Sequence, residues 1–338
     1  MGSIFRHKAI KADDPRKVEI FALSLEEVVP LCESDDYLER GYAAQALGRF
    51  RSKKALPSLM KLSEDEEPEV RADALVAIME MGGAEGGEIF LKALDDKEGF
   101  IVAVALDALA KYPFKEAEKK LEEKLLAGED GGEIAFKAAI ALAGLKSEKA
   151  LPKLLAEVEG GKERYTSLSA LLYYEHLSTE ILERIERFHK RWFLHPLEKL
   201  ESAAILCKHG RESGKEFILK RLYSNKLLDK GYAIELSCRL NIAEAMDYIR
   251  DVASDEQHYY CLNALNALVN IGDKRGIELA ETFAERAIEA DAKADAIRIL
   301  FYAKVPSARE KIKRALGDSR LDTMRLELES MLNSYGDE

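Results

Sequence analysis

Arg40-Gly41-Tyr42-Ala43-Ala44-Gln45-Ala46-Leu47-Gly48 is answered 31 positions later by Arg71-Ala72-Asp73-Ala74-Leu75-Val76-Ala77-Ile78-Met79. Both stretches are rich in small residues at helical spacing, and each is followed by a second amphipathic segment. Working outward, Ala103-Val104-Ala105-Leu106-Asp107-Ala108-Leu109 falls a further 31 positions on. Leu151-Pro152-Lys153-Leu154-Leu155 nearly copies Leu56-Pro57-Ser58-Leu59-Met60. One helix pair cannot bury its own apolar face, so recurrence at this period predicts stacked pairs rather than a closed globule.

The small residues have a packing meaning. Ala43, Ala44 and Ala46, like Ala138, Ala139, Ala141 and Ala143, cover more than one helix face, so neighbours can approach from two sides. Ser24 with Glu27 makes a capping box, and Pro57 near a helix start supplies a fixed φ where its missing N–H does no harm. Acidic links follow at Ser63-Glu64-Asp65-Glu66 and Asp95-Asp96. Beyond Gly160 the pattern blurs but keeps phase, with pairs expected at 163–176 and 179–192, 196–209 and 214–223, 228–240 and 243–253, 257–271 and 275–290, and 291–302 and 308–316. A last helix near 321–333 would cap the array. The expected fold is all-α, a right-handed α-solenoid of about nine to ten stacked helix pairs. Its organisation reads as one continuous solenoid with an N-terminal extension (1–15), regular repeats (16–160), divergent basic repeats (161–230), and C-terminal repeats with a capping helix (231–338).

Composition limits the function. Of 338 residues, 47% are hydrophobic and 33% charged, with a net charge of −11 and only two glutamines, Gln45 and Gln257. That is the ion-pair-rich, amide-poor style of a thermostable protein. The acidic balance disfavours nucleic acid and opposes anionic membranes, which demand a positive counter-surface. No stretch is long and apolar enough to span a bilayer, and Met1 to Lys8 lack a signal-peptide core. Arg6 stands where a myristoylation site wants Ser or Thr. Cys32, Cys207, Cys238 and Cys261 are widely spaced in apolar segments and read as buried free thiols of a cytoplasmic protein.

The units Glu69-Val70-Arg71-Ala72-Asp73-Ala74-Leu75 and Ala44-Gln45-Ala46-Leu47-Gly48, followed by Ala55-Leu56-Pro57-Ser58-Leu59, resemble the HEAT-repeat superfamily, more narrowly the HEAT-like units of phycobilisome lyases. The resemblance covers about residues 36–160 well and 196–316 less closely. It implies first helices on a convex side and second helices lining a concave binding surface. It does not imply an activity, because such units occur in scaffolds, lyases, DNA glycosylases and a diiron hydroxylase. The hydroxylase binds iron through His-Glu dipeptides, and here the only adjacent pair is the reversed Glu175-His176.

One region departs from the acidic trend. Residues 181–230 hold twelve Lys or Arg against seven acids, a net of +5 that leaves −16 on the remainder. His176, His189, His195, His209 and the sole tryptophan, Trp192, lie in or beside it. On an expected helix from 179 to 192, Ile181, Ile185, Phe188 and Trp192 share one face, and Arg184, Arg187 and Arg191 another. Lys190 belongs to the same cluster, and Lys215, Lys220 and Arg221 extend the patch into the next unit. These eight residues, Arg184, Arg187, Lys190, Arg191, Trp192, Lys215, Lys220 and Arg221, are the expected partner-binding set, suited to an acidic protein segment, phosphate groups or a nucleic-acid backbone. The bland alternative makes Phe188 and Trp192 core and the arginines a solvated face paired with Glu183 and Glu186.

Catalytic, metal and cofactor residues are not expected. Cys207 and His209 point to different helix faces, and His195 before Pro196 reads as a helix cap. The glycine clusters at 82–87 and 128–132 read as turns, the second too acidic to hold phosphate. In Tyr173-Tyr174 and Tyr259-Tyr260, one ring of each pair should pack and the other face solvent. The expected function is a non-catalytic scaffold or adaptor binding a protein partner, with a nucleic-acid or phosphate binder as the alternative and a lyase or other enzyme behind it.

Overall fold

A computed structural model describes residues 14–127, 132–224 and 227–333. Residues 1–13 of the expected N-terminal extension and most of the 128–132 glycine cluster therefore lie outside the described residues, while Asp14 and Pro15 already cap and open the first helix. The chain divides into two compact units, the boundary falling between Leu154 and Leu155.

The first unit contains α1 (Pro15–Phe21), α2 (Leu25–Val28), α3 (Tyr37–Phe50), α4 (Leu56–Leu62), α5 (Pro68–Glu80), α6 (Gly87–Ala93), α7 (Gly99–Lys111), α8 (Glu118–Ala127) and α9 (Glu133–Gly144), and the boundary cuts α10 (Leu151–Gly160). The first helices stack in a row, α3 on α5, α5 on α7 and α7 on α9, while α4, α6 and α8 each pack on the first helix that follows. Alanine and glycine permit this: Ala43, Ala44, Ala46 and Gly48 are all buried. A Cβ on Gly48 would sit 2.9 Å from the Cα of Ala77, so the α3–α5 approach depends on its absence. The Ser24–Glu27 capping box forms, with the Ser24 amide donating to Glu27 Oε2 at 2.9 Å. Gly82 and Gly83 take positive φ in the α5–α6 turn, where a side chain would be strained.

Arginine stitches successive pairs together. Arg71, buried in the first turns of α5, donates from Nη1 to the Asp65 and Glu66 carbonyls of the preceding turn. Its Nε and Nη2 grip Asp96 in the following turn. Arg40 repeats the arrangement on Ser34, Asp35 and Asp65. Asp65 and Asp96 also accept from the Glu67 and Glu98 amides, which immediately precede the next helices.

The second unit runs through α11 (Arg164–Leu171), α12 (Thr179–His189), α13 (Pro196–Lys208), α14 (Glu212–Leu222), α15 (Leu227–Arg239), α16 (Ala243–Ser254), α17 (Cys261–Asn270), α18 (Lys274–Arg286), α19 (Ala290–Tyr302), α20 (Ala308–Ala315) and α21 (Arg325–Asn333). Again the odd-numbered helices from α11 to α19 stack in sequence, and α12, α14, α16 and α18 each pack on the next. All described regular structure is helical. Together with the first unit this gives ten consecutive helix pairs and a final helix among the described residues, as the periodicity predicts. Lys293 on α19 reaches Asp318 at 2.6 Å over the same 25-residue separation as Arg71 to Asp96, so the stitch recurs with a lysine.

Three helices end three or more residues earlier than expected. α11 stops at Leu171, not His176, α12 stops at His189, not Trp192, and α18 stops at Arg286, not Ala290. Each tyrosine pair splits as expected, Tyr174 and Tyr260 buried and Tyr173 and Tyr259 exposed, yet both pairs lie just outside helices. The four cysteines are free. Burial raises the thiols of Cys32 and Cys261 to about 11 and that of Cys238 to about 12, leaving them unreactive.

Candidate functional site at the end of helix α12

Helix α12 starts where Ser178 accepts from the Ile181 amide through Oγ at 3.3 Å. It buries Leu182, Ile185 and Phe188. Trp192 does not continue that face: the chain leaves the helix after His189, and Trp192 stands 85% exposed beside Phe193 at 93%. Their rings meet edge to face, centroids 6.5 Å apart. This corrects the shared face of Ile181, Ile185, Phe188 and Trp192, and it equally excludes Trp192 from the core. Phe193, which the helical reading left unremarked, is the more exposed of the two.

The basic residues do not form one row. Arg184 binds Glu159 through Nε and Nη2 at 2.7 and 2.8 Å, holding that carboxyl below its ordinary range. Arg191 donates from Nη1 to the Glu159 carbonyl at 2.9 Å and lays its guanidinium on the Phe188 ring at 5.2 Å. These two contacts fix the start of the loop that carries the aromatics. Lys190 pairs with Glu186 at 3.0 Å. Arg187 is exposed and, among the described residues, forms no ion pair, although its charge helps depress Glu159. The partners are thus Glu159 and Glu186, where Glu183 and Glu186 were the expected ones.

In the next pair, Lys215 lies between Glu212 (2.9 Å) and Glu244 (3.0 Å), two bonds that raise its ammonium's affinity for its proton. Arg221 pairs with buried Asp229 at 3.0 Å and covers the Phe217 ring at 4.9 Å. Lys220 is exposed and makes no ion pair among the described residues. His189 links the two pairs, packing edge-on against Phe217 at 4.8 Å. Along the solvent faces the charges are graded: Glu180 and Glu183 precede Arg187 and Lys190 on α12, and Glu212 and Glu216 precede Lys220 on α14. Cations at helix C-termini answer the macrodipole, so part of the basic patch is helix chemistry.

Groups suited to other chemistry are structural here. His189 Nδ1 lies 2.9 Å from Ser202 Oγ, but Ser202 is 0% exposed and its hydroxyl already donates to the Lys199 carbonyl. The contact pins the end of α12 to α13. His195 caps α13, with Nδ1 accepting from the Leu197 amide at 3.3 Å and Glu198 completing a capping box. Glu201, counted in the sequence as one more acid of this region, is 1% exposed and accepts from Ser169 Oγ at 2.6 Å and from the Tyr232 hydroxyl, joining α11, α13 and α15. Among the described residues no group of three His, Cys, Asp or Glu side chains comes together as metal ligands, and no helix is long and apolar enough to cross a membrane.

The family model for HEAT repeats matches residues 25–110. A search of curated proteins gives no match. Among solved structures, the chain is similar to an engineered protein at 16% identity, covering 92% of this chain and 98% of that one with a TM-score of 0.41. It is similar to the Escherichia coli protein YibA at 15% identity, with 75% and 95% covered and a TM-score of 0.42. The complex of CpcE and CpcF of phycocyanin lyase from Nostoc sp. PCC7120 shares 18% identity over 92% of this chain and 94% of that chain, with a TM-score of 0.37. The periodicity and the stacked first helices agree with the family match, which identifies residues 25–110 as HEAT repeats.

Proposed function

We propose that this HEAT-repeat chain is a non-catalytic cytoplasmic scaffold or adaptor whose divergent segment, residues 161–230, docks a protein partner. The observation that carries the reading is the exposure of Trp192 and Phe193, 85% and 93%, on a loop whose start is tied down by Arg191. Two large rings left in water are costly unless something covers them, and aromatic side chains held in place are the usual anchors of protein interfaces. Arg187, Lys190 and Arg191 precede the rings in the sequence, and Lys215, Lys220 and Arg221 of the next pair complete the proposed set.

The test is affinity capture from the source organism with the wild-type chain and with Trp192→Ala/Phe193→Ala side by side. A protein recovered by the first and lost by the second supports the reading. Equal recovery by both, or none by either, overturns it.

A further inference from the structure

We infer that the 187–193 surface takes an acidic segment of a protein partner, its carboxylates on Arg187 and Arg191 and an apolar side chain against Trp192 and Phe193. This rests on the reading of the chain as a protein-binding scaffold and adds the chemistry of what is bound.

The surface carries uncompensated positive charge. From Arg187 to Leu197 the sequence has no acidic residue. Lys190 is neutralised by Glu186, which leaves Arg187 and Arg191 as cations without a carboxylate of their own among the described residues. Arg191 spends Nη1 on a carbonyl, so its charge and remaining N–H groups stay available. Guanidinium groups bind carboxylates through paired hydrogen bonds.

The same helix already binds a carboxylate in this way. Arg184, one turn before Arg187 on the same helix, already holds the Glu159 carboxylate by two bonds. One carboxylate therefore serves three neighbouring arginines, Arg184, Arg187 and Arg191, whose charges all act on it. A second carboxylate brought by a partner would balance the remaining excess.

Acidic residues around the patch limit the occupant's extent. Glu180 and Glu183 lie on the same exposed face of α12 as Arg187, and Glu212, Glu216, Glu244, Asp247 and Asp251 are exposed along α14 and α16. A nucleic-acid strand or an anionic bilayer, both extended, would meet these acids as well as the arginines. A short acidic segment meets only the cationic end and gains the two rings, which a phosphate chain does not use.

The probe is a phage-displayed library of short random peptides, selected on the full-length protein with Arg187→Glu/Arg191→Glu protein as soluble competitor. Selected peptides should be enriched in Asp and Glu with at least one Leu, Phe or Trp. A synthetic peptide from that set should bind about tenfold or more weakly to Arg187→Glu/Arg191→Glu and to Trp192→Ala/Phe193→Ala, and weaken with added salt. Neutral or basic selected peptides, or none that discriminates the two proteins, would overturn the inference. So would short single-stranded DNA or phosphatidylserine vesicles that bind the wild type and not the charge-reversed variant. A captured partner that needs Trp192 and Phe193 but ignores Arg187→Glu/Arg191→Glu would leave the scaffold standing and remove the acidic segment.

Discussion

Arg71 grips Asp96 through two parallel bonds, Nε to Oδ2 at 2.8 Å and Nη2 to Oδ1 at 2.9 Å, across 25 residues of sequence. Both side chains are largely buried, and the same guanidinium satisfies two carbonyls of the preceding turn. Removing it strands a buried carboxylate and two acceptors at once. Arg71→Ala should therefore cost about 3 kcal/mol in chemical denaturation. Lys92→Ala, which breaks an exposed pair with Glu64, should be indistinguishable from the parent. Burial opposes ionisation of Asp96, but the Arg71 and Glu98 bonds outweigh it and hold the carboxyl below its ordinary range. The stabilisation is thus present at neutral pH and lost as pH falls through that lowered value.

Asp73 has the opposite sign. Burial among the first helices pushes its carboxyl up to about 6, against a single hydrogen bond from Gln45 at 3.0 Å. A raised carboxyl stabilises the fold below the unfolded value, and that contribution disappears as pH rises through 6. Asp73→Asn keeps the shape and removes the buried charge. It should raise stability by about 2 kcal/mol at pH 7, with the gain shrinking to nothing in acid, where both side chains are neutral. Thermal melts across that range check it.

Gly214 lies in the first turn of α14, where a Cβ would lie 2.3 Å from the Ala203 carbonyl oxygen and 2.5 Å from the Cys207 nitrogen. Alanine ordinarily favours a helix by about 1 kcal/mol over glycine. Here the clash is with backbone, which cannot step aside, so Gly214→Ala should destabilise by about 2 kcal/mol despite its propensity. The urea midpoint reads the balance directly.

Trp192→Ala/Phe193→Ala should leave the fold untouched. Neither ring packs on the core, and surface changes of this kind stay within about 0.5 kcal/mol. A melting temperature equal to the parent's would verify that any loss of binding in this variant is a loss of contact.

The alanine and glycine spacing made the stack legible because close approach of helices admits few other residues. The stitching was not read from the sequence, although Arg40 and Arg71 recur with the same spacing as Asp65 and Asp96, because it requires pairing an arginine with a turn 25 residues on. Trp192 was misplaced for a physical reason. Ile181, Ile185 and Phe188 keep helical period up to position 192, and what accompanies the departure is tertiary: His189 against Ser202 and Phe217, and Arg191 on the Glu159 carbonyl. Glu201 shows the same limit, because nothing local distinguishes a carboxylate held by Ser169 and Tyr232 from one in water.

A photocrosslinking residue placed at Phe193 and activated in cells of the source organism tests the docking surface where it stands. The account predicts a discrete crosslinked protein that disappears when Arg187→Glu and Arg191→Glu are added to the same chain. Crosslinks to nucleic acid or lipid, or a protein crosslink unchanged by the two charge reversals, would contradict it.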